Sequence, residues 1–156
     1  MPNYKVAPPE VLALLHDVAS AHYPDLSRIR FEVLMAWSTS SLPPVEVKPT
    51  SPLNRAAGTA DALVVVCAAR WEEANEARQR ATLDHALATI APVFHRGGLL
   101  STDSAGRPRL KRRYPDLVGI GFRHVWERNR GVAIEATRAV ELRERAGQLL
   151  MFDGVE

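Results

Sequence analysis

The most constraining stretch of this chain is Ala62 to Arg70, whose first six residues read ALVVVC. Three consecutive valines disfavour a helix, because a β-branched side chain loses χ1 freedom against the preceding turn. Apolar residues on both faces of the run predict a strand covered on both sides, hence a central one. A central strand needs neighbours. Ile29 to Trp37 (IRFEVLMAW) reads as a second strand, and Val45-Glu46-Val47 as a short third. Cys67, the chain's single cysteine, ends the apolar run. It reads as a small buried hydrophobe that fits a reducing compartment.

Helices frame these strands. Pro8-Pro9-Glu10 opens the first, with an apolar stripe from Val11 to Ala19 and an end near His22, before Pro24. A long central helix is expected from Trp71 to about Phe94, with Ala77, Ala81, Leu83, Leu87, Ile90, Ala91 and Phe94 inward. Pro92 and Gly97-Gly98 should end it. Asp116 is expected to cap a third helix reaching Arg130, and Ile134 to Leu150 reads as a fourth. Ser38 to Gly58 carries four prolines and reads mostly as loop. The expected fold class is α+β, with a small β-sheet, a long central helix and further C-terminal helices. Residues 1–147 form one domain in this reading, and 148–156 a C-terminal tail.

Length and charge bound the function. A chain of 156 residues supports one domain. A net charge of +2 leaves nucleic-acid binding to a local patch. The N-terminus shows no signal-peptide pattern, and no apolar run approaches a membrane span, so the expected location is cytoplasmic, with no membrane partner. No P-loop, G-x-G-x-x-G or G-x-S-x-G occurs.

The central helix reads RQRATLDHALATI, and a later segment reads GRPRLKRRYPDLVGIGFRHVWERNRG. A strand, a Trp-containing bend and a helix bearing LDH resemble the phage metallopeptidase family, distant relatives of zincin-type proteins. In that family the helix carries LDHEL-x-H. His85 matches its first zinc histidine, Ala86 falls on the glutamate and Thr89 on the second histidine. Asp116 matches the aspartate of a later His-Asp pair, with Pro115 where the histidine stands. The resemblance spans residues 4 to 131 in element order and implies a zincin-like fold.

Chemistry follows from the substitutions. Histidines at i and i+4 share a helix face and reach one zinc, while the intervening glutamate activates its water. Alanine takes no proton, and threonine is a poor zinc ligand. No catalytic residue is therefore assigned. A weaker alternative keeps a metal: His85 and His95 are ten apart, like the first and third ligands of H-E-x-x-H-x-x-G-x-x-H, with Asp84 or Asp116 as a further ligand. Pro92 stands where that pattern needs glycine. The plainer reading of His85 is a partly buried helix histidine with a hydrogen-bond partner. No cofactor is expected, zinc being the one alternative.

Two binding signals remain. RPRLKRR places Arg107, Arg109, Lys111, Arg112 and Arg113 within seven residues, beside Tyr114. Such a run binds phosphate backbones or acidic protein surfaces, or is simply a solvated turn. Gln148, Leu149 and Phe152, in QLLMF, resemble the short peptide by which bacterial replication and repair proteins dock on the sliding clamp. The same residues would also serve to pack the last helix. The leading expectation is a catalytically inactive, metallopeptidase-like phage or prophage protein. It would bind a bacterial host protein or complex, as an inhibitor of a host defence system does. A DNA-associated protein and a residual zinc peptidase are the alternatives.

Overall fold

The computed structural model describes residues 3–37, 43–113, 124–125 and 127–129. Within residues 3–113 the described elements run in the order β1 (Asn3–Val6), α1 (Pro9–His22), β2 (Phe31–Trp37), β3 (Val45–Pro49), α2 (Pro52–Ala56), β4 (Ala62–Cys67), α3 (Ala68–Glu73), α4 (Glu76–Leu87), β5 (Ile90–Pro92) and β6 (Leu110–Arg112). A 3-10 turn at Pro24–Leu26 follows α1. The class is α+β.

The main sheet has the order β1-β2-β4-β3. β4 lies parallel to β2 and antiparallel to β3. The valine run is thus an interior strand, as its two-faced apolar character requires. The register aligns Phe31 with Ala62, Val33 with Val64 and Met35 with Val66, and Val47 with Val64 on the other side. These side chains share one face and join the core cluster with Val11, Leu15 and Val18 of α1 and Leu83, Ala86 and Leu87 of α4. Cys67 is buried, as its apolar setting suggests.

Three expectations are corrected. The strand ends at Cys67, and Ala68–Arg70 already belong to α3. Trp71 to Phe94 is not one helix. It breaks at Ala74-Asn75, where the Asn75 side chain accepts from the Arg78 N–H at 2.9 Å and starts α4 afresh. It ends at Leu87: the Thr89 hydroxyl donates to the Ala86 carbonyl at 2.6 Å, and Ile90-Ala91-Pro92 pair with β6. Ile90 keeps helical spacing from Ala86 and Leu87, yet it is buried from a strand. Burial at these positions does not distinguish the two periods. The Pro-rich segment also holds a short helix, α2, opened by Ser51 and Pro52. β1 had no clear sequence signal. Its four residues are all exposed, so no in-out alternation marks it.

Residues 90–113 fold as a small β module beside the main sheet. β5 pairs with β6, Phe94 bridges Leu100, and Thr102 bridges Pro108. The turn expected at Asp103–Gly106 is present. Gly106 takes φ +76°, a left-handed conformation glycine adopts without a Cβ clash. The Asp103 carboxylate accepts from the N–H groups of Ala105 and Arg107 and closes the turn.

Candidate functional site

α4 places Asp84 and His85 on different sides. Asp84 is buried, and its carboxylate faces a set of donors. Oδ1 accepts from the Tyr23 hydroxyl at 2.6 Å and from Arg128 Nη2 at 2.6 Å. Oδ2 accepts from Arg128 Nε at 3.0 Å and from Asn129 Nδ2 at 2.9 Å. Burial alone would raise the Asp84 carboxyl. The hydrogen bonds from Arg128 and Tyr23, with the guanidinium charge, hold it below its ordinary value instead. Burial pushes the Tyr23 phenol well above its usual range, and the Asp84 charge adds to this. The hydrogen bond to Asp84 raises Arg128 in turn. The group is a locked ion pair: carboxylate ionised, phenol protonated, guanidinium charged.

His85 is half-buried and engaged with neighbouring groups. Ala86, at the matched glutamate position, is packed into the core. Thr89, at the matched second-histidine position, lies beyond the end of α4 with its hydroxyl turned back onto Ala86. His95 is exposed in the β module, where its backbone pairs with Leu99. Among the described residues no three of His, Cys, Asp and Glu are grouped so as to hold a metal ion. The zinc implied by the resemblance therefore does not fit the described residues. A ligand set of His85, His95 and Asp84 is not assembled, and Asp84 is committed to Arg128. Pro115 and Asp116 lie outside the described residues.

The basic run divides sharply. Arg107 points inward: Nε donates to Asp61 Oδ1 at 2.9 Å, Nη1 to the Arg55 carbonyl at 2.8 Å and Nη2 to the Thr59 carbonyl at 2.5 Å. Asp61, 1% exposed, also accepts from Arg55 Nη2 at 3.0 Å and from the Arg30 N–H at 2.9 Å. Arg55 donates further to the Pro108 carbonyl. This buried knot ties the β module to the start of β4. Arg109, Lys111, Arg112 and Arg113 are exposed, while Leu110 between them packs on the core. Four of the five cations are thus displayed outward, and Arg107 is the one tethered inside. Phe94, Arg96 and Leu99 are exposed on the same module.

No family model, curated protein or solved structure matches this chain.

Tyr114, Gln148, Leu149 and Phe152 lie outside the described residues, as do the expected fourth helix and most of the third. His124-Val125 and Glu127-Arg128 are helical, within the span expected for that third helix. No helix among the described residues is long and apolar enough to cross a membrane. Sequence reasoning missed Tyr23, Arg55, Asp61 and Arg128. Tyr23 and Arg128 meet across 105 residues; Arg55 and Asp61 lie six apart, but the Arg107 that completes their knot is 46 residues beyond Asp61, so local spacing does not announce either group.

Proposed function

We propose that this protein is a non-catalytic binding protein on a zincin-like, metallopeptidase-related scaffold of phage or prophage type. It engages a bacterial host protein or complex, as an inhibitor of a host defence system does. The observation that supports the loss of catalysis is the end of α4. The position of the general base is a core alanine, and the position of the second ligand has left the helix. A scaffold without its catalytic groups acts through its surfaces.

The contact surface in this reading is the β module. Between residues 86 and 113 there are six cations and one acid, and that acid, Asp103, is spent on its own turn and on Arg55. The partner offers an acidic face. The test has two arms. Purified protein with added zinc should show no peptide cleavage that a chelator abolishes. Pull-down from host lysate should capture a defined complex that the quadruple variant Arg109→Glu, Lys111→Glu, Arg112→Glu and Arg113→Glu fails to capture. Chelator-sensitive cleavage lost in His85→Ala would overturn the reading in favour of a zinc peptidase.

A second reading is DNA association, favoured by the same four outward cations and the exposed Phe94 beside them. It requires binding to duplex or single-stranded DNA that weakens steeply with salt. Four phosphate contacts give a log-log slope of about −3 to −4. Binding with no salt dependence, or none at low salt, rejects it.

A further inference from the structure

We propose that a hollow at the C-terminal end of α4 is a binding site for a small anion carried on an apolar body, such as an aryl phosphate or aryl carboxylate. The hollow encloses about 230 Å³. Its walls come from the end of α1 and the turn after it, from Ala88, from β5, and from Arg113, His124 and Arg128. It lies beside Asp84 and Ala88, and neither His85 nor Thr89 lines it. It is separate from the outward basic surface of the β module except at Arg113, and its argument does not depend on the proposed partner.

The chemistry of the lining selects the ligand. Leu26, Ile90 and Pro92 are buried and supply an apolar floor, extended by Ala88 and the Tyr23 ring. Four nitrogen-bearing side chains surround it: His22, His124, Arg113 and Arg128. Among the described residues of the lining Asp25 is the one carboxylate, and it is exposed on the turn. The neighbouring Asp84 adds little repulsion toward an anion, because Arg128, the Tyr23 hydroxyl and the Asn129 amide already balance it.

Two donor ends are left over. Arg128 meets Asp84 side-on through Nε and Nη2, and its Nη1 has no acceptor among the described residues. The Arg113 backbone N–H donates to the Thr89 carbonyl at 2.7 Å, which fixes its Cα at the rim, while its guanidinium has no partner among the described residues. A guanidinium stays charged at any working pH, and its planar fork matches the oxygens of a phosphate or carboxylate. His22 and His124, also in the lining, add donors that an anion accepts. The volume lies below the usual 300–1,000 Å³ of pockets for drug-sized ligands, so the fitting ligand has on the order of ten non-hydrogen atoms.

The probe is phenyl phosphate, titrated into the full chain by calorimetry at low ionic strength, with phenol and inorganic phosphate as controls. Saturable binding at one site per chain is expected. Arg113→Ala should weaken it about tenfold or more, and Arg113→Lys by less, since lysine keeps the charge and loses the fork. Lys48→Ala, on an exposed position of β3, should leave it unchanged. Phenol should not bind detectably, and inorganic phosphate should bind more weakly than phenyl phosphate. Arg113 is exposed, so its variants should keep the parent melting temperature, and a shared melting temperature makes the affinities comparable. The proposal is overturned by the absence of saturable binding, by equal affinity in Arg113→Ala, by an equal loss in Lys48→Ala, or by inorganic phosphate binding as tightly as phenyl phosphate.

Discussion

Asp61 and Asp84 are both buried aspartates held by arginines, but they sit in different surroundings. Asp61 takes two guanidiniums, Arg55 at 8% exposure and Arg107 at 18%, with a backbone N–H on its second oxygen. Asp84 takes one guanidinium, Arg128 at 29%, together with a phenol and an amide. The first knot joins α2, the start of β4 and the β module. The second joins the end of α1, α4 and the helical residues near 128. Sequestered charge raises the cost of breaking a pair, because the survivor is left in a low dielectric without compensation. Water reaching Arg128 softens that cost. The Asp61 knot should therefore act as a rigid tether and the Asp84 knot as a clasp of lower energy.

Removing each acid tests this ordering. Asp61→Ala strands two guanidiniums and should lower stability by about 3–5 kcal/mol in denaturant melts. Asp84→Ala should cost less, about 2–3 kcal/mol, since Arg128 keeps some solvent. An equal or reversed order would show that exposure does not govern these pairs. Arg107→Ala comes next, at about 2–3 kcal/mol, because it leaves Asp61 one donor poorer. Arg109→Ala, two residues on and exposed, should stay within about 0.5 kcal/mol. That contrast separates the tether from the display surface within one basic run.

Smaller effects sharpen the comparison at Asp84. Tyr23→Phe removes one of its donors and should cost about 1–2 kcal/mol. Acid should also act through this carboxyl. Its folded-state value is depressed, so the unfolded chain takes up the proton first as pH falls. The stabilisation is fully present above the unfolded value of about 3.9 and is lost as pH drops through the lower folded value. Melting temperature measured between pH 6 and 3 should fall more steeply for the parent than for Asp84→Asn, which has no such proton to bind. Parallel curves would mean that other carboxylates dominate acid unfolding.

Much of the body was legible beforehand. Pro9–His22 forms a helix where the Pro-Pro-Glu start and the stripe through Leu15 and Val18 placed it. Phe31–Trp37, Val45–Pro49 and Ala62–Cys67 are strands, with the valine run inside the sheet. The turn at Asp103–Gly106 was visible in its Asp-Ser-Ala-Gly chemistry. The β module was not. Ile90, Ala91 and Phe94 continue the inward positions of α4, and the break comes from pairing with Arg112, Lys111 and Leu110 across a loop of seventeen residues, 93–109. Its cations were plain in the sequence, but which of them faces inward was not.

The sequence by itself determined the class of the fold and the chemistry available at Ala86 and Thr89, because β-branched runs, caps and residue identities are local facts. Only the tertiary structure decided that α4 stops at Leu87, that Arg107 is a tether while Arg109 is free to display, and that Tyr23 and Arg128 close on Asp84. Those outcomes depend on which distant groups share a buried site. A charge pair gains its energy from the dielectric around it, and that dielectric exists only once the chain has folded.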